Sequence, residues 1–296
     1  SASICKVDLI SDLVGEFPEL QGIMGGYFAE AQGFDKEISL AVSEHYLPIG
    51  LESITPKKPF SIALALTDKI DTLVGFFGIN QKPTSSKDPY ALRRSALGII
   101  KLLIDNNKEF KIKDLVSYST SLHKDQGFKL LNQELQQQLG DFLMERLKYY
   151  MKEKKIRIDI AEASINAHGI NHMNKIYKKA LALNNLIKDS IGEDIIASYK
   201  RAASILDSEL KNSDYELSNT TDPGIFKNDY EKNLLKKINE LKKYFININK
   251  DENYIESLTN LAGAKKVIFD FFDNVKVNDE DKNIKKNRLE LLQMLC

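Results

Sequence analysis

Phe60-Ser61-Ile62-Ala63-Leu64-Ala65-Leu66-Thr67-Asp68-Lys69-Ile70-Asp71-Thr72-Leu73-Val74-Gly75-Phe76-Phe77-Gly78 is the stretch that decides the fold class. Ile62, Leu66, Ile70, Leu73 and Phe77 recur at helical spacing, and Leu64 and Val74 widen the apolar surface around them. A helix apolar on so many sides belongs inside a larger helical assembly. Asp68 and Asp71, three residues apart, project from neighbouring positions on it, and buried carboxylates need partners. Arg93 and Arg94, a short distance along the chain, are the candidates. Two roles fit the pair. One is a metal or phosphate-chemistry site built from Asp68 or Asp71 with Asp8 and His45. The other is a structural ion-pair network between helices, the commoner fate of buried charge. His45, in Glu44-His45-Tyr46-Leu47-Pro48, sits at a helix end, where a lone histidine is often structural.

Outward from this helix, apolar residues keep helical spacing and no stretch alternates as a strand, so the fold class is all-α. Pro18, Gly25-Gly26, Gly33, Pro48, Pro56, Pro59, Pro83 and Pro89 punctuate a first domain, residues 1–106. Asp88-Pro89 reads as a helix start, with Asp88 as N-cap and Pro89 at the first helical position. The helix it opens, 90–105, would bury Leu92, Ala96, Ile99 and Leu103. The loop 83–89 offers free N–H groups and Lys87 to a phosphate, but Asp88 already supplies the negative cap, so capping is the simpler role. Residues 107–127 turn polar, with one short amphipathic segment around Leu115, and read as a connection. A second helical domain spans 128–296, with turns at Gly140, Gly169, Gly192 and Asp222-Pro223-Gly224, a long loop at 213–228, and a last helix opening at Asn278-Asp279.

The chain has 296 residues, 42 basic and 42 acidic side chains, so no global positive field draws it to nucleic acid. A local basic stripe remains compatible with RNA. The C-terminal half is heavy in Lys, Asn and Ile, which codon bias towards A and T explains as well as an RNA surface does. No apolar run is long enough to cross a bilayer. Cys5 and Cys296, near opposite ends, have no metal-type spacing and suit a reducing cytoplasm. The start at Ser-Ala-Ser-Ile, without methionine, suggests a piece of a longer protein. No Ser-His-Asp, Walker, dinucleotide or zinc pattern is present. In Tyr199-Lys200-Arg201-Ala202-Ala203, inward-facing Ile195, Tyr199, Ala202 and Leu206 would leave Lys200 and Arg201 on the exposed side, to grip phosphates or to keep the helix soluble.

Several ordered stretches together resemble the beta subunit of bacterial-type glycyl-tRNA synthetase. They are Lys6-Val7-Asp8-Leu9, Val14-Gly15-Glu16-Phe17-Pro18-Glu19-Leu20-Gln21-Gly22, Met24-Gly25, Glu44-His45-Tyr46-Leu47-Pro48 and Ala65-Leu66-Thr67-Asp68-Lys69-Ile70-Asp71-Thr72-Leu73-Val74-Gly75. Pro83-Thr84-Ser85-Ser86-Lys87-Asp88-Pro89, Ala91-Leu92-Arg93-Arg94, Tyr199-Lys200-Arg201-Ala202-Ala203, Phe271-Phe272-Asp273 and Asn287-Arg288-Leu289 continue the series. The match is weakest over 106–155 and 211–251, and Ser85 stands where the family typically has glycine.

The resemblance implies the C-terminal portion of that subunit: an HD-like helical domain, then a helical-bundle anticodon-binding domain similar to that of arginyl-tRNA synthetases. It implies a tRNA-binding part of a glycine–tRNA ligase with no catalytic residues of its own. The glycine, ATP and Mg would be handled by an alpha subunit, within an alpha2beta2 heterotetramer. Expected partners are glycine tRNA and the alpha subunit, with neither membrane nor DNA. Expected RNA contacts are Lys200 and Arg201, then Arg157 and Arg288. Val7-Asp8 stands where a His-Asp pair is expected, so Asp8, His45, Asp68, Asp71, Arg93 and Arg94 would form a structural, vestigial cluster without metal. The rivals are a metal-dependent HD-type phosphohydrolase and an assembly scaffold that never touches RNA.

Overall fold

The structure, a computed structural model, describes residues 2–84, 87–168, 170–188, 190–211, 216–247 and 254–296. Ser85, Gly169 and part of the 213–228 loop lie outside them. Every regular element among the described residues is helical. The chain forms two compact units, Ser1–Ala180 and Leu181–Cys296.

In the first unit α1 (Asp12–Glu16), α2 (Ile23–Ala31) and α3 (Lys36–Glu44) precede the long α4 (Pro59–Gly78). Then come α5 (Leu92–Asp105), α6 (Ile112–Asp125), α7 (Leu135–Glu153) and α8 (Ile158–His168), and α9 (Met173–Leu186) begins. Pro59 occupies the first helical position of α4, where its missing N–H costs nothing. At the other end the Gly78 carbonyl accepts from Leu131 N (2.8 Å) and Asn132 N (3.1 Å). Those bonds satisfy carbonyls that a helix end otherwise leaves bare. α3, α5, α6 and α7 all pack on α4, the burial its all-round apolarity predicts.

Three boundaries differ from the sequence reading. Residues 107–127 are not a bare connection: they hold α6, which buries Ile112 and Val116 and packs on α4 and α7. The division between compact units therefore falls after Ala180. Gly140, read as a turn, is buried within α7. α5 starts at Leu92 rather than at Pro89, because Ala91 is left-handed (φ 55°) and interrupts the turn. Asp88 still caps it, accepting from Leu92 N at 2.8 Å and Arg93 N at 3.0 Å. The stripe Leu92, Ala96, Ile99 and Leu103 is buried as expected.

In the second unit α10 (Ser190–Lys211), α11 (Asp229–Asn247), α12 (Tyr254–Ala262), α13 (Lys265–Asn274) and α14 (Lys282–Leu295) surround one core. Ala202 and Leu206 of α10, Leu234 and Ile238 of α11, Phe271 and Phe272 of α13, and Leu289 and Leu292 of α14 form it. Asn228 and Glu231 make a reciprocal capping box at the start of α11: Glu231 N donates to Asn228 Oδ1 (3.1 Å), and Asn228 N donates to Glu231 Oε2 (3.0 Å). Gly192, read as a turn, falls in the first turn of α10, and Asp281 rather than Asn278 caps α14.

α2 and α3 approach closely at Gly26, where an added Cβ would lie 2.7 Å from Ser43 Cβ and 2.9 Å from the Ser39 carbonyl. Gly15, inside α1, has nothing within 4 Å of such an atom. Gly26→Ala should therefore destabilise the protein by about 1–3 kcal/mol, whereas Gly15→Ala should stabilise it by about 0.5–1 kcal/mol. Denaturant unfolding of the two variants checks both signs.

Candidate nucleic-acid interface

The first unit gathers its polar residues where α2, α3 and α4 meet. Asp8 is 1% exposed and accepts from Gly22 N (2.6 Å) and Gly25 N (3.1 Å). Those amides belong to the N-terminus of α2, so the carboxylate serves as that helix's anionic cap. Gly25 is needed for this approach, since a Cβ there would meet the Asp8 carboxyl at 3.2 Å. His45 is fully buried, with Nδ1 2.6 Å from the Val42 carbonyl. A carbonyl only accepts, so Nδ1 carries the proton and Nε2 is left bare. Burial depresses the His45 pKa below its ordinary 6.5 and keeps the ring neutral.

The charged residue that α4 buries is Lys69, not an aspartate. Its ammonium donates to the carbonyls of His45 (3.3 Å), Tyr46 (3.1 Å) and Leu47 (3.0 Å), just past the C-terminus of α3. Burial lowers its pKa to about 8, which leaves it protonated at neutral pH. Gly98 of α5 gives the lysine stem its passage, because a Cβ there would stand 2.5 Å from Lys69 Cε. The sequence held a signal for this residue: Lys69 lies between Leu66 and Leu73 on the buried stripe.

The expected partners of Asp68 and Asp71 need correction. Asp68 pairs with Lys6 at 2.6 Å, and Asp71, largely exposed, lies 3.0 Å from His123 Nε2. Arg93 instead donates to the Thr84 carbonyl, and Arg94 lies on the rim of a groove that Asp68 and Lys69 also line. Helix direction explains this, since Arg93 and Arg94 leave α5 at its first turn. Among the described residues no group of three or more His, Cys, Asp or Glu is placed to hold a metal. The cluster does not suit one: Asp8 Oδ2 already accepts two amides and only its Oδ1 is left, while Lys6 and Lys69 put positive charge beside Asp68 and His45.

The second unit offers a different surface. Lys200 and Arg201 are both exposed on α10. The Arg201 guanidinium lies 4.6 Å from the centre of the Phe272 ring, so a cation is held over an aromatic face. Beside it runs a groove bordered by Asn274, Lys276 and Asn278, with the exposed carboxylate of Asp273 on the same lining. Tyr199, expected to face inward, is 50% exposed, while Ala202 and Leu206 are buried and Ile195 is half-buried. The buried arc of α10 is narrower than assumed, which leaves Tyr199 exposed, about 100° around the helix from Lys200 and about 200° from Arg201.

Arg288 does not belong to any such surface. It is 4% exposed, with Nε donating to Glu231 Oε1 (2.6 Å) and Nη1 donating to the Lys276 carbonyl (2.9 Å) and Asp279 Oδ2 (2.8 Å). It ties α14 to α11 and to the segment after α13. Its neighbour Asn287 exchanges two hydrogen bonds with the Asp222 backbone (2.8 and 3.0 Å). Asn287-Arg288 is thus a pair of architectural side chains. Arg157 is exposed but engaged in a fork with Asp159, at 3.1 and 2.7 Å.

With this geometry in place, comparison with known proteins gives a consistent picture. The family described as glycyl-tRNA synthetase beta subunit matches residues 1–166, and the DALR anticodon binding domain matches residues 195–296. The glycine–tRNA ligase beta subunit of Rickettsia africae (strain ESF-5) is 39% identical over 297 residues, covering 100% of this chain and 42% of the relative. Those of Rickettsia typhi (strain ATCC VR-144 / Wilmington) and Ruegeria sp. (strain TM1040) are 37% and 34% identical, again over all of this chain and 42% and 41% of theirs. The chain therefore spans about two fifths of the length of these relatives.

Two outcomes separate architecture from surface. Arg288→Ala strands the buried Glu231 and should cost about 3–5 kcal/mol in denaturant unfolding, against less than about 0.5 kcal/mol for Arg157→Ala at an exposed site. The second concerns pH. The folded state prefers neutral His45, so this contribution is whole above 6.5 and is lost as pH falls from there through the depressed folded value. Lys6 and Lys69 reinforce the preference, and Asp68 and the Val42 carbonyl oppose it. Acidification from about pH 7.5 to about pH 5.5 should lower the thermal midpoint, and His45→Asn should flatten that fall. An unchanged slope in the variant would assign the effect to another group.

Proposed function

The chain belongs to the glycyl-tRNA synthetase beta subunit family, and from that premise we propose that it is the tRNA-holding part of a glycine–tRNA ligase. The observation that carries this reading is the exposed run Tyr199-Lys200-Arg201 on α10, within the stretch that matches an anticodon-binding domain. Cations there meet phosphates, and Tyr199 and the Arg201 plane offer faces on which an unpaired anticodon base stacks. The first unit supplies an HD-like structural body and no chemistry of its own. His45 is buried, Asp8 caps a helix and Asp68 is ion-paired with Lys6.

In this reading glycine, ATP and Mg are handled by an alpha subunit that the beta chain joins in an alpha2beta2 assembly, and charging takes place in the cytoplasm. No described helix is long and apolar enough to cross a membrane. The phosphohydrolase rival lacks support in the polar cluster, where ammonium groups occupy the positions next to the carboxylate and imidazole.

The test is binding of the chain to a glycine tRNA transcript and to an anticodon-swapped transcript over a range of salt. Lys200→Glu with Arg201→Glu should weaken binding and make the plot of log affinity against log salt shallower by about 1 to 2 units. Arg157→Glu should have a smaller effect, because Asp159 already holds that guanidinium. A wild-type chain with no tRNA affinity, yet bound to the alpha subunit, would replace this reading with a scaffold.

A further inference from the structure

A second basic surface lies on α11, away from the Arg201 groove and outside the motifs that carry the family resemblance. Lys232, Lys236 and Lys243 are all exposed. Separations of four and seven residues place them on one face of the helix, within about 40° of one another at about 100° per residue. Leu234 and Ile238, on the opposite side, enter the core. The three lysines border one groove that Phe226 and Leu235 also line, both partly buried against the core. Lys236 and Lys243 make no ion pair or hydrogen bond among the described residues. Lys232 reaches Asp229 at 3.0 Å, but both side chains are well exposed and such a pair is worth little. Glu240 is the acidic member of the lining, and it is shared with Lys237 at 3.7 Å.

We propose that this lysine-lined groove of α11 binds the phosphate backbone of single-stranded RNA, with Phe226 as a stacking wall. The proposal rests on the reading that this unit takes tRNA and adds a surface to it. A face meant only for solvation is convex and mixes its charges, whereas here two uncommitted cations and an aromatic ring converge on a concavity. The rise of α11 sets Lys232 and Lys236 about 6 Å apart and Lys243 about 10 Å further on, a row that follows a strand rather than one compact anion. Spaced cations beside an aromatic ring are the elements that single-stranded nucleic acid uses, with backbone charge met by lysine and a base by the ring. An acidic protein surface would also meet the cations, but the extended spacing of the row beside a ring favours a strand.

The experiment is fluorescence anisotropy of the full chain with labelled glycine tRNA transcript, over a range of salt, using a Lys232→Ala, Lys236→Ala, Lys243→Ala variant. A second variant, Lys113→Ala, Lys124→Ala, Lys129→Ala, removes equal charge from exposed positions of the first unit. Circular dichroism and thermal midpoints check that both keep the fold. The expected result is a loss of affinity of about tenfold or more for the α11 variant, with a salt slope shallower by about 2 units. The control should change by less than about twofold. If wild type binds tRNA and the α11 variant binds equally with the same slope, the groove is not an RNA surface while the tRNA reading stands. If the α11 variant keeps tRNA but loses the alpha subunit in a pull-down, the groove meets an acidic protein surface and the proposal is overturned. If wild type binds no RNA, the tRNA reading fails and the proposal with it.

Discussion

A buried ammonium must have its three N–H groups answered, and Lys69 meets that demand on the carbonyls of residues 45–47. Much of the first unit is arranged around this requirement. The chain leaving α3 must turn, with His45 still in the helical region and Leu47 N bonded to the Glu44 carbonyl, so that three successive carbonyls converge on one point. α4 must present Lys69 towards them, and α5 must offer Gly98 where the stem passes. Asp68, one residue away, then finds its charge partner at the N-terminus, in Lys6, which also lies 4.8 Å from the centre of the Tyr46 ring. Lys69 and Asp68 together therefore join four sequence-distant segments.

The same logic recurs in the second unit with the charges distributed differently. Glu231 serves two masters: one oxygen closes the capping box of α11 and the other receives Arg288. Asn287 and Glu290, on the same stretch of α14, hold the Asp222 backbone and Ser218. Three contacts thus depend on polar side chains from about one turn of one helix, and Phe271, Leu289 and Leu292 belong to the apolar core of the same unit. Surfaces left free by this arrangement, on α10 and α11, are where the cations remain available to a partner.

This explains why short stretches of distinctive sequence need not mark chemistry. Asp8 and His45 read as a structural cluster and Arg288 as an RNA contact, and each is committed to holding backbone or an opposite charge. Conversely Lys236 and Lys243, in a lysine-rich helix that composition alone does not single out, stand uncommitted around a concavity. A buried charge is spent on its own fold; an exposed one becomes a site only through what lies next to it.

The sequence by itself determined the helical class, the buried character of α4 and the stripe of α5, because periodicity is a local property of 3.6-residue turns. It also carried the family resemblance along its whole length, because identity of residues needs no geometry. Only the tertiary structure decided that residues 107–127 fold into a docked helix, that Asp68 meets Lys6 rather than an arginine, and that Arg288 turns inward. Those outcomes depend on which helices meet and at what side-chain direction. Spacing along one helix cannot state the identity of a partner that comes from another.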